Sequence, residues 1–182
     1  MSVSLFRRRP KLPASARPAL EPGERVLAWA ATAAGADAPV LVATNLGLWL
    51  PDGRRLGWHE IHKVAWSGRE LRITPATVAA ERPGYLVLTD APVLTYLLLD
   101  PGELPDQVRT RVVRSVAYTS HHPLPTGGVR VVGRRVAGRD GLSWAVRYDS
   151  GTLASVDADL VGVTAATDGW VSAAQVAAAP PP

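Results

Sequence analysis

Residues 39–73 read PVLVATNLGLWLPDGRRLGWHEIHKVAWSGRELRI and consist of short apolar runs separated by turn signals. In the clearest pair, residues 63–66 and 70–74 flank Ser67-Gly68-Arg69, and apolar residues alternate on both sides of that turn. Alternation with a period of two beside a glycine-bearing turn is typical of a β-hairpin. Pro51-Asp52-Gly53 separates two earlier runs in the same way. The stretch therefore predicts a meander of antiparallel strands.

Runs on either side extend this sheet and lead into a helix. The pattern predicts strands at residues 25–33, 38–44, 46–50, 54–58, 85–88 and 93–99. The last of these, VLTYLLL, is almost continuously apolar, so we expect it to be buried on both faces. Apolar residues then recur at a spacing of four, which indicates a helix with one apolar stripe. They are Leu104, Val108, Val112 and Val116.

A second, shorter group of elements follows residue 119. Residues 129–136 and 142–148 predict a hairpin closed by a glycine-containing loop. A helical stripe comes after it, made of Val156, Leu160, Val163, Thr167, Trp170, Ala174 and Ala177. Asp157 and Asp159 lie in the first turn of this predicted helix, where the helix dipole favours acidic residues.

The positive charge of the chain is concentrated at its N-terminus. The 182 residues include 20 Lys and Arg and 16 Asp and Glu, a net charge of +4. Residues 1–20 contain five basic side chains and no acidic one, so residues 21–182 hold 15 basic and 16 acidic side chains, a balance of −1. With three prolines and no periodicity, residues 1–20 are predicted to be a flexible basic arm, and residues 180–182 a disordered tail.

Composition excludes several classes of protein. Cysteine is absent, which excludes disulfides, thiolate metal sites and cysteine nucleophiles. No apolar run approaches the roughly 20 residues needed to span a bilayer. Charged residues occupy the N-terminal positions where a signal peptide has its apolar segment. We therefore expect a cytoplasmic protein without a transmembrane segment.

Four short motifs resemble the bacterial pleckstrin-homology-like (PH-like) and GRAM-type domains. They are Gly23-Glu24 before the first strand, Ala43-Thr44 at the second hairpin, Glu60-Ile61 between strands, and the Ser67-Gly68 turn. The resemblance covers about residues 23–119 and implies a partly open β-barrel or roll plugged by a helix. It also implies binding of proteins, peptides or phosphoinositide headgroups. Headgroup binding in that family relies on a basic loop between the first two strands, and residues 34–37 contain no basic side chain.

The sequence therefore predicts an α+β fold dominated by antiparallel sheet. Residues 21–119 are expected to form a PH-like β-barrel or roll with its capping helix. Residues 120–179 are expected to form an extension, a β-hairpin and a C-terminal helix packed on that barrel.

The histidines and glycines do not form a recognisable catalytic or metal-binding motif. His59 and His62 are three residues apart at a strand end, where alternation would point them to opposite sides, whereas the zinc-protease motif needs a helical spacing of four. His121 and His122 fall in a predicted loop. Neither a nucleophile elbow nor a phosphate-binding loop occurs. We predict no catalytic residue, no metal ligand and no cofactor, and expect a protein that is not an enzyme.

Six tryptophans are spread over the predicted elements. Trp29, Trp49, Trp58, Trp66 and Trp144 lie on predicted strands, and Trp170 lies on the final helix. Large aromatic side chains at inward positions of a small barrel usually belong to the core, which is where we expect them. A tryptophan on the outer face would instead indicate a contact surface.

Two basic clusters are candidate contacts for an anionic surface. They are Arg7, Arg8, Arg9 and Lys11 in the arm, and Arg130, Arg134 and Arg135 in the late hairpin. On a strand, Arg130 and Arg134 share one face and Arg135 takes the other. The alternative is a solvated tail and solvated strand faces, which the −1 balance of residues 21–182 favours.

Three functional hypotheses follow. The leading one is a non-enzymatic binding or adaptor module that contacts an unidentified protein partner through an open sheet edge or barrel groove. The second is a peripheral binder of an anionic membrane or nucleic acid, through the arm and the late arginines. The third is an enzyme whose site cannot be read from the sequence.

Overall fold

A computed structural model describes residues 11–35, 37–152 and 160–179 of the chain. In these ranges the protein is an α+β structure with eleven strands in two sheets and two helices, which confirms the predicted fold class. The strands are β1 (Val26–Ala31), β2 (Val40–Thr44), β3 (Gly47–Trp49), β4 (Arg55–Gly57), β5 (Ile61–Trp66), β6 (Glu70–Arg82), β7 (Tyr85–Asp90), β8 (Leu94–Leu97), β9 (Val116–Pro123), β10 (Gly128–Arg135) and β11 (Leu142–Tyr148). The helices are α1 (Leu104–Ser115) and α2 (Leu160–Ala178), and 3₁₀ turns occur at Ala14–Ala16 and Trp58–Glu60. Neither described helix has the length and apolarity needed to cross a bilayer.

The two sheets differ in shape and in pairing. The first contains β1, β2, β3 and β4 in chain order, and all of its pairs are antiparallel. The second has the order β5-β6-β7-β11-β10-β9, with β8 paired to β6, and it curls into a half-barrel. Its pairs are antiparallel except for β7 and β11, which run parallel. This parallel contact joins the late hairpin to the strands that precede α1.

Strand β6 belongs to both halves of the second sheet. Its residues 70–75 pair with β5 and β8, and its residues 76–82 pair with β7. The predicted strand ends at Thr74, because a proline such as Pro75 lacks a backbone donor and usually marks a strand end. Here the strand continues to Arg82, since Pro75 lies at the point where the pairing partners change.

The first core lies between the first sheet, the β5–β6–β8 part of the second sheet, and α1. Fully buried side chains from the strands include Leu41, Leu48, Leu71 and Ile73. Leu104, Val108 and Val112 complete this core from α1, which confirms the predicted stripe at these three positions. The prediction for Val116 is wrong, because α1 ends at Ser115 and Val116 begins β9.

A buried carboxylate ties the residues before β1 to the first sheet. Glu24 accepts hydrogen bonds from Thr44 Oγ1 at 2.6 Å, Trp49 Nε1 at 2.9 Å and Arg55 Nη1 at 2.9 Å. Burial alone would raise the pKa of Glu24, but the hydrogen bonds, led by that from Thr44, together with the Arg55 charge hold the pKa below its ordinary value. Two of the motifs that carry the family resemblance therefore meet at one hydrogen bond, although they are 20 residues apart.

The second core lies between α2 and one face of β7, β10 and β11. It is formed by Tyr85, Val87, Val129, Val131, Val146, Val171 and Ala174. The predicted stripe of the final helix is confirmed at Thr167 and Ala174, which are buried, whereas Ala177 is exposed and Val171 takes part instead. Val156, Asp157, Asp159 and the predicted tail 180–182 lie outside the described residues.

Residues 93–99 are more exposed than the sequence predicts. Val93, Leu97 and Leu99 are 55%, 39% and 52% exposed. Alternate residues from 93 to 99 are exposed, so one face of β8 remains in water although the strand pairs with β6. The prediction that this run is buried on both faces is therefore wrong.

Two of the predicted unit boundaries fall within described structure. Residues 11–20, which were assigned to the flexible arm, include the 3₁₀ turn Ala14–Ala16, and Leu12 and Arg17 line a cleft along β1. Strand β9 spans residues 116–123 and so crosses the predicted boundary after residue 119.

The tryptophans are not equally buried. Trp58 is 3% exposed and donates a hydrogen bond from Nε1 to the backbone oxygen of Thr44 at 3.2 Å. Four others are half-buried: Trp29, Trp49, Trp144 and Trp170. Trp66 is 36% exposed at the end of β5. The prediction of a core position is confirmed for Trp58 and wrong for Trp66.

Candidate functional site

Alternation along the strands divides the second sheet into two faces. On β10, Val131 lies under α2, whereas Arg130 and Val132 face the opposite, concave side of the half-barrel. On β7, Leu86 and Leu88 face the concave side as well. This side encloses a cleft of about 390 Å³, lined by β5, β6, β7, β9, β10, β11 and the Trp58–Glu60 turn. We call it the concave cleft.

The floor of the concave cleft is apolar. The strand register places Val132, Ala145 and Leu86 side by side across β10, β11 and β7. Val78 lies opposite Leu88 in the pairing of β6 with β7. Because Val78 is 48% exposed, the floor is open to solvent on the β6 side. An uncovered apolar concavity of this kind is typical of a ligand-binding site.

Two arginines stand next to each other on the wall of the cleft. Arg130 and Arg147 are directly opposite in the register of β10 and β11, which leaves their Cβ atoms about 5 Å apart on one face. Arg147 Nη2 donates to Asp90 Oδ2 at 2.6 Å. Arg130 makes one long hydrogen bond, 3.5 Å from Nη1 to Thr119 Oγ1, and no carboxylate of the described residues forms an ion pair with it. Its guanidinium group therefore keeps most of its donors for a ligand.

A third arginine closes the curled sheet against the first core. Arg134 Nη1 donates to the backbone oxygen of Ile61 at 2.9 Å, to Ser115 Oγ at 3.1 Å and to the backbone oxygen of Trp58 at 3.4 Å. Burial, and secondarily the charge of Arg147, lowers the pKa of Arg134. Within the described ranges no carboxylate pairs with Arg134, so its charge is balanced by neutral acceptors only. The prediction of a solvated strand face is wrong for this residue.

Asp90, at the end of β7, connects two residues that line the cleft. One carboxylate oxygen accepts from Arg147, and the other lies 2.8 Å from His62 Nδ1. Burial lowers the pKa of His62, the charges of Arg147 and Arg134 act in the same direction, and Asp90 opposes them. The imidazole is therefore neutral at neutral pH, and its Nδ1–H donates to the carboxylate, which only accepts.

His59 reaches the same cleft from the 3₁₀ turn. Its ring packs against Gly57, where a Cβ atom would lie 2.6 Å from the ring. Burial lowers the pKa of His59, Glu60 opposes the shift, and the charges of Arg134 and Arg139 support it. The prediction that alternation points His59 and His62 to opposite sides is wrong, because His59 lies in a helical turn and both line the concave cleft.

The wall of the cleft carries net positive charge. Three guanidinium groups line it, against the single carboxylate of Glu60, and the balance stays positive when the neighbouring Asp90 is counted. Glu60 is itself engaged, since its Oε2 accepts from the backbone nitrogen of Gly57 at 2.6 Å. Arginine does not lose its proton in proteins. The cleft can therefore hold an anionic group by charge-assisted hydrogen bonds over a wide range of pH.

The structure brings together only part of the predicted basic set. Arg130 and Arg134 share the concave cleft, whereas Arg135 lies on the other face and donates to the backbone oxygen of Arg114 at 3.1 Å. Lys11 lines the separate cleft along β1. Arg7, Arg8 and Arg9 lie outside the described residues. Sequence reasoning missed Arg147, because the predicted hairpin had no assigned register and only the observed pairing places Arg147 opposite Arg130.

His121 and His122 lie on β9, not in the predicted loop, and make separate contacts. His121 Nε2 lies 2.9 Å from Asp149 Oδ2. The ring of His122 stacks on Trp170 with centroids 4.4 Å apart, on the side of α2. In the part of the chain that the structure describes, no group of three or more His, Cys, Asp or Glu side chains could hold a metal ion.

No family model, curated protein or solved structure matches this chain. The geometry of the concave cleft therefore carries the functional proposal.

Proposed function

We propose that this chain is a non-enzymatic binding module and that the concave cleft is its ligand site. The single observation that carries the proposal is the combination of an apolar floor that is open to solvent at Val78 with a cationic wall in which Arg130 has no carboxylate partner among the described residues. Exposed apolar surface beside a cationic group without an ion pair contributes little to folding, because that surface gains no burial and that charge gains no ion pair. Both are explained if a ligand completes them.

Binding, not catalysis, suits the chemistry of the polar groups. Guanidinium groups stay protonated and do not exchange protons with a substrate near neutral pH. His62 donates to Asp90, and His59 is packed against the backbone of Gly57, so both imidazoles have structural contacts. The polar groups of the cleft wall are therefore suited to binding an anionic group and not to transferring protons.

We further propose that residues 23–119 are PH-like. Support comes from the first sheet and the β5–β6–β8 strands, which enclose one core, and from α1, which plugs it with Leu104, Val108 and Val112. The family's association with ligand binding is consistent with a binding module. The concave cleft is built jointly by strands of that unit and by β10 and β11 beyond it, and its three arginines all come from β10 and β11, so its ligand is inferred from its own residues.

The shape of the cleft favours a discrete ligand over a flat anionic surface. Arg130, Arg134 and Arg147 line a concavity and do not form a continuous exposed stripe. A polyanion or a bilayer meets a protein over a broad basic surface. A compact anionic group can enter the cleft and contact these three arginines more closely than a flat anionic surface can.

A protein-observed NMR screen of a fragment collection, containing anionic, neutral and cationic members, tests the proposal. We expect hits to shift the amide resonances of Leu86, Val132 and Ala145, and to leave those of Leu27 in the cleft along β1 unchanged. Val78→Asp should remove these shifts, whereas Val113→Asp, at a position 65% exposed on α1, should retain them. Absence of any response at the cleft, or hits that map elsewhere, would refute the proposal.

A further inference from the structure

We infer that the ligand of the concave cleft is a single-chain amphiphile: an unbranched apolar chain that ends in an anionic head such as a carboxylate or a phosphate. This inference rests on the proposed binding function and adds the chemical class of the ligand. It follows from how polar and apolar residues are distributed over the strands of the cleft.

The lining of the cleft differs in polarity from strand to strand. The three guanidinium groups come from β10 and β11, which contribute Arg130, Arg134 and Arg147 beside the apolar floor residues Val132 and Ala145. The lining residues of β6 and β7 are all apolar: Ala76, Val78, Leu86 and Leu88. A ligand that uses the whole cleft is therefore anionic at one end and apolar along the rest, because β6 and β7 offer it apolar contacts alone and the cationic groups lie beyond them.

The apolar side consists of a strand face, which argues against a peptide. Backbone donors and acceptors of β6, β7, β11 and β10 are used in pairing with their neighbours across the sheet. A peptide lying on this face would bury its own amide groups without hydrogen-bond partners, which is unfavourable for each group. An alkyl chain has no polar groups along its length, so it avoids this cost.

The head is assigned to the space in front of Arg130 and Arg147. The two side chains emerge as direct cross-strand neighbours, and Arg130 has donors free because it makes only the long bond to Thr119. Arg147 is oriented by Asp90 through one guanidinium nitrogen. Paired guanidinium groups recognise the oxygens of carboxylate and phosphate. On β10, Arg134 lies two residues after Val132, as Arg130 lies two residues before it, and it adds a third positive charge to the cleft.

The size of the cleft agrees with this class. A volume of about 390 Å³ lies at the lower end of the range for small-molecule sites, about 300–1,000 Å³. The exposed flank at Val78 provides an exit for the end of a longer chain. Chains of about ten carbons are therefore suitable probes.

Isothermal titration calorimetry and NMR mapping of the whole protein test the inference. The probes are decanoate, decyl phosphate, 1-decanol and decyltrimethylammonium, each below its aggregation concentration, with butyrate and inorganic phosphate as heads without a chain. We expect decanoate and decyl phosphate to bind in the cleft at least tenfold more tightly than the neutral and cationic analogues. The isolated heads should bind at least tenfold more weakly as well. Whichever of the two anionic probes binds more tightly identifies the head.

Two matched pairs of variants locate the contacts. Arg130→Gln should weaken decanoate binding about tenfold, and Arg109→Gln, on the exposed face of α1, should leave it unchanged. Val78→Asp should abolish binding, and Val113→Asp should not.

Three outcomes would overturn the inference. They are binding of 1-decanol as tight as that of the anionic probes, undiminished binding of the anionic probes by Arg130→Gln, and tighter binding of an acidic peptide, titrated under the same conditions, than of either anionic probe. Fragment hits at the cleft without binding of decanoate or of decyl phosphate would refute the amphiphile and leave the binding module intact. If neither the fragments nor the anionic amphiphiles bind at the cleft, both the proposed binding function and the inferred ligand class are refuted.

Discussion

The hydroxyl of Tyr85 donates to the carboxylate of Asp168 over 2.6 Å, and this bond joins β7 to α2. Burial raises the pKa of Tyr85, and the bond to Asp168 raises it further. Gln175, about two turns further along the helix, donates from Nε2 to the backbone oxygen of Gly84 at 3.2 Å. These polar contacts fix the position of α2 on the side of the sheet that faces away from the concave cleft.

Tyr85→Phe should lower the free energy of unfolding by about 1–2 kcal/mol, because a hydrogen bond to a charged acceptor is lost at a buried site. Urea denaturation followed by tryptophan fluorescence measures the change. Asp140→Asn, at an exposed loop position, is the control and should stay within about 0.5 kcal/mol of the parent chain. Equal stability of Tyr85→Phe and the parent would show that the bond does not hold α2.

Glu24→Gln should destabilise the protein by about 2–3 kcal/mol, because the half-buried Arg55 and Trp49 donors lose a charged acceptor that is itself buried. Glu21→Gln removes a more exposed partner of the same arginine and should cost less than about 1 kcal/mol. Chemical denaturation at pH 7 compares the two. The interpretation fails if the two variants are equally stable.

The lowered pKa of Glu24 also predicts how stability depends on acid. A carboxylate whose pKa is depressed in the folded state stabilises it above the unfolded pKa, and this contribution is lost as the pH falls through the folded pKa. Stability should therefore fall below about pH 4.5, the ordinary value for this group. The fall should be smaller in Glu24→Gln, which can be followed by urea midpoints between pH 5 and 3.

Protonation of His59 and His62 should cause a separate loss of stability, at a higher pH than the loss caused by protonation of Glu24. Because burial lowers both pKa values below 6.5, the unfolded chain binds protons before the folded chain as the pH falls through that value. Each histidine can contribute a slope of up to about 1.4 kcal/mol per pH unit. Unfolding free energies between pH 7.5 and 5.5 should show this slope, and His59→Gln should reduce it. A flat profile for the parent chain would contradict the assignment.

Gly169→Ala should stabilise the protein by about 1 kcal/mol. Gly169 lies within α2, nothing stands within 4 Å of an added Cβ atom, and its φ is not positive. Alanine restricts the unfolded chain and has a higher helix propensity. Differential scanning calorimetry should show a higher Tm, and an unchanged or lower Tm would count against a regular helix at this point.

Gly47→Ala should have the opposite effect. An added Cβ atom on Gly47 would clash with the backbone oxygen of Leu56 on the neighbouring strand β4. Backbone cannot move aside as a flexible side chain can, so we expect a loss of about 2–3 kcal/mol. The same calorimetric comparison tests this, with Gly169→Ala as the reference for an alanine that fits.

The sequence predicts the elements of the first core well because their signals are local. Alternation at residues 70–74 and the spacing of Leu104, Val108 and Val112 each report burial within one element, and the structure confirms them. At residues 63–66 the alternation holds for Val64, which packs against this core, but not for Trp66, which is exposed. The extension of β6 beyond Pro75 carries no such signal, because a proline usually marks a strand end and only the pairing with β7, the next strand, shows that the strand continues. The start of β9 is likewise set by its pairing with β10, which overrides the helical spacing that includes Val116.

The concave cleft could be predicted only in part. Arg130 and Arg134 are four residues apart on one strand, so the alternation of side chains places them on the same face, as the sequence predicts. Arg134 meets the backbone of Ile61, which is 73 residues away, only because the sheet curls. The apolar floor likewise depends on the pairing of Ala145 with Leu86. Curvature and the order of strands are tertiary properties, and a single sequence carries no local signal for either.

The parallel contact between β7 and β11 has a consequence for biosynthesis. Leu86 leaves the ribosome well before Ala145, its partner across the sheet. Until then the hairpin of β6 and β7 presents an unpaired edge with leucines on one side and valine and tyrosine on the other. Such delayed, non-local pairing is slow and exposes nascent chains to association. Production yield should therefore depend on translation speed and temperature more than the stability of the finished fold would suggest.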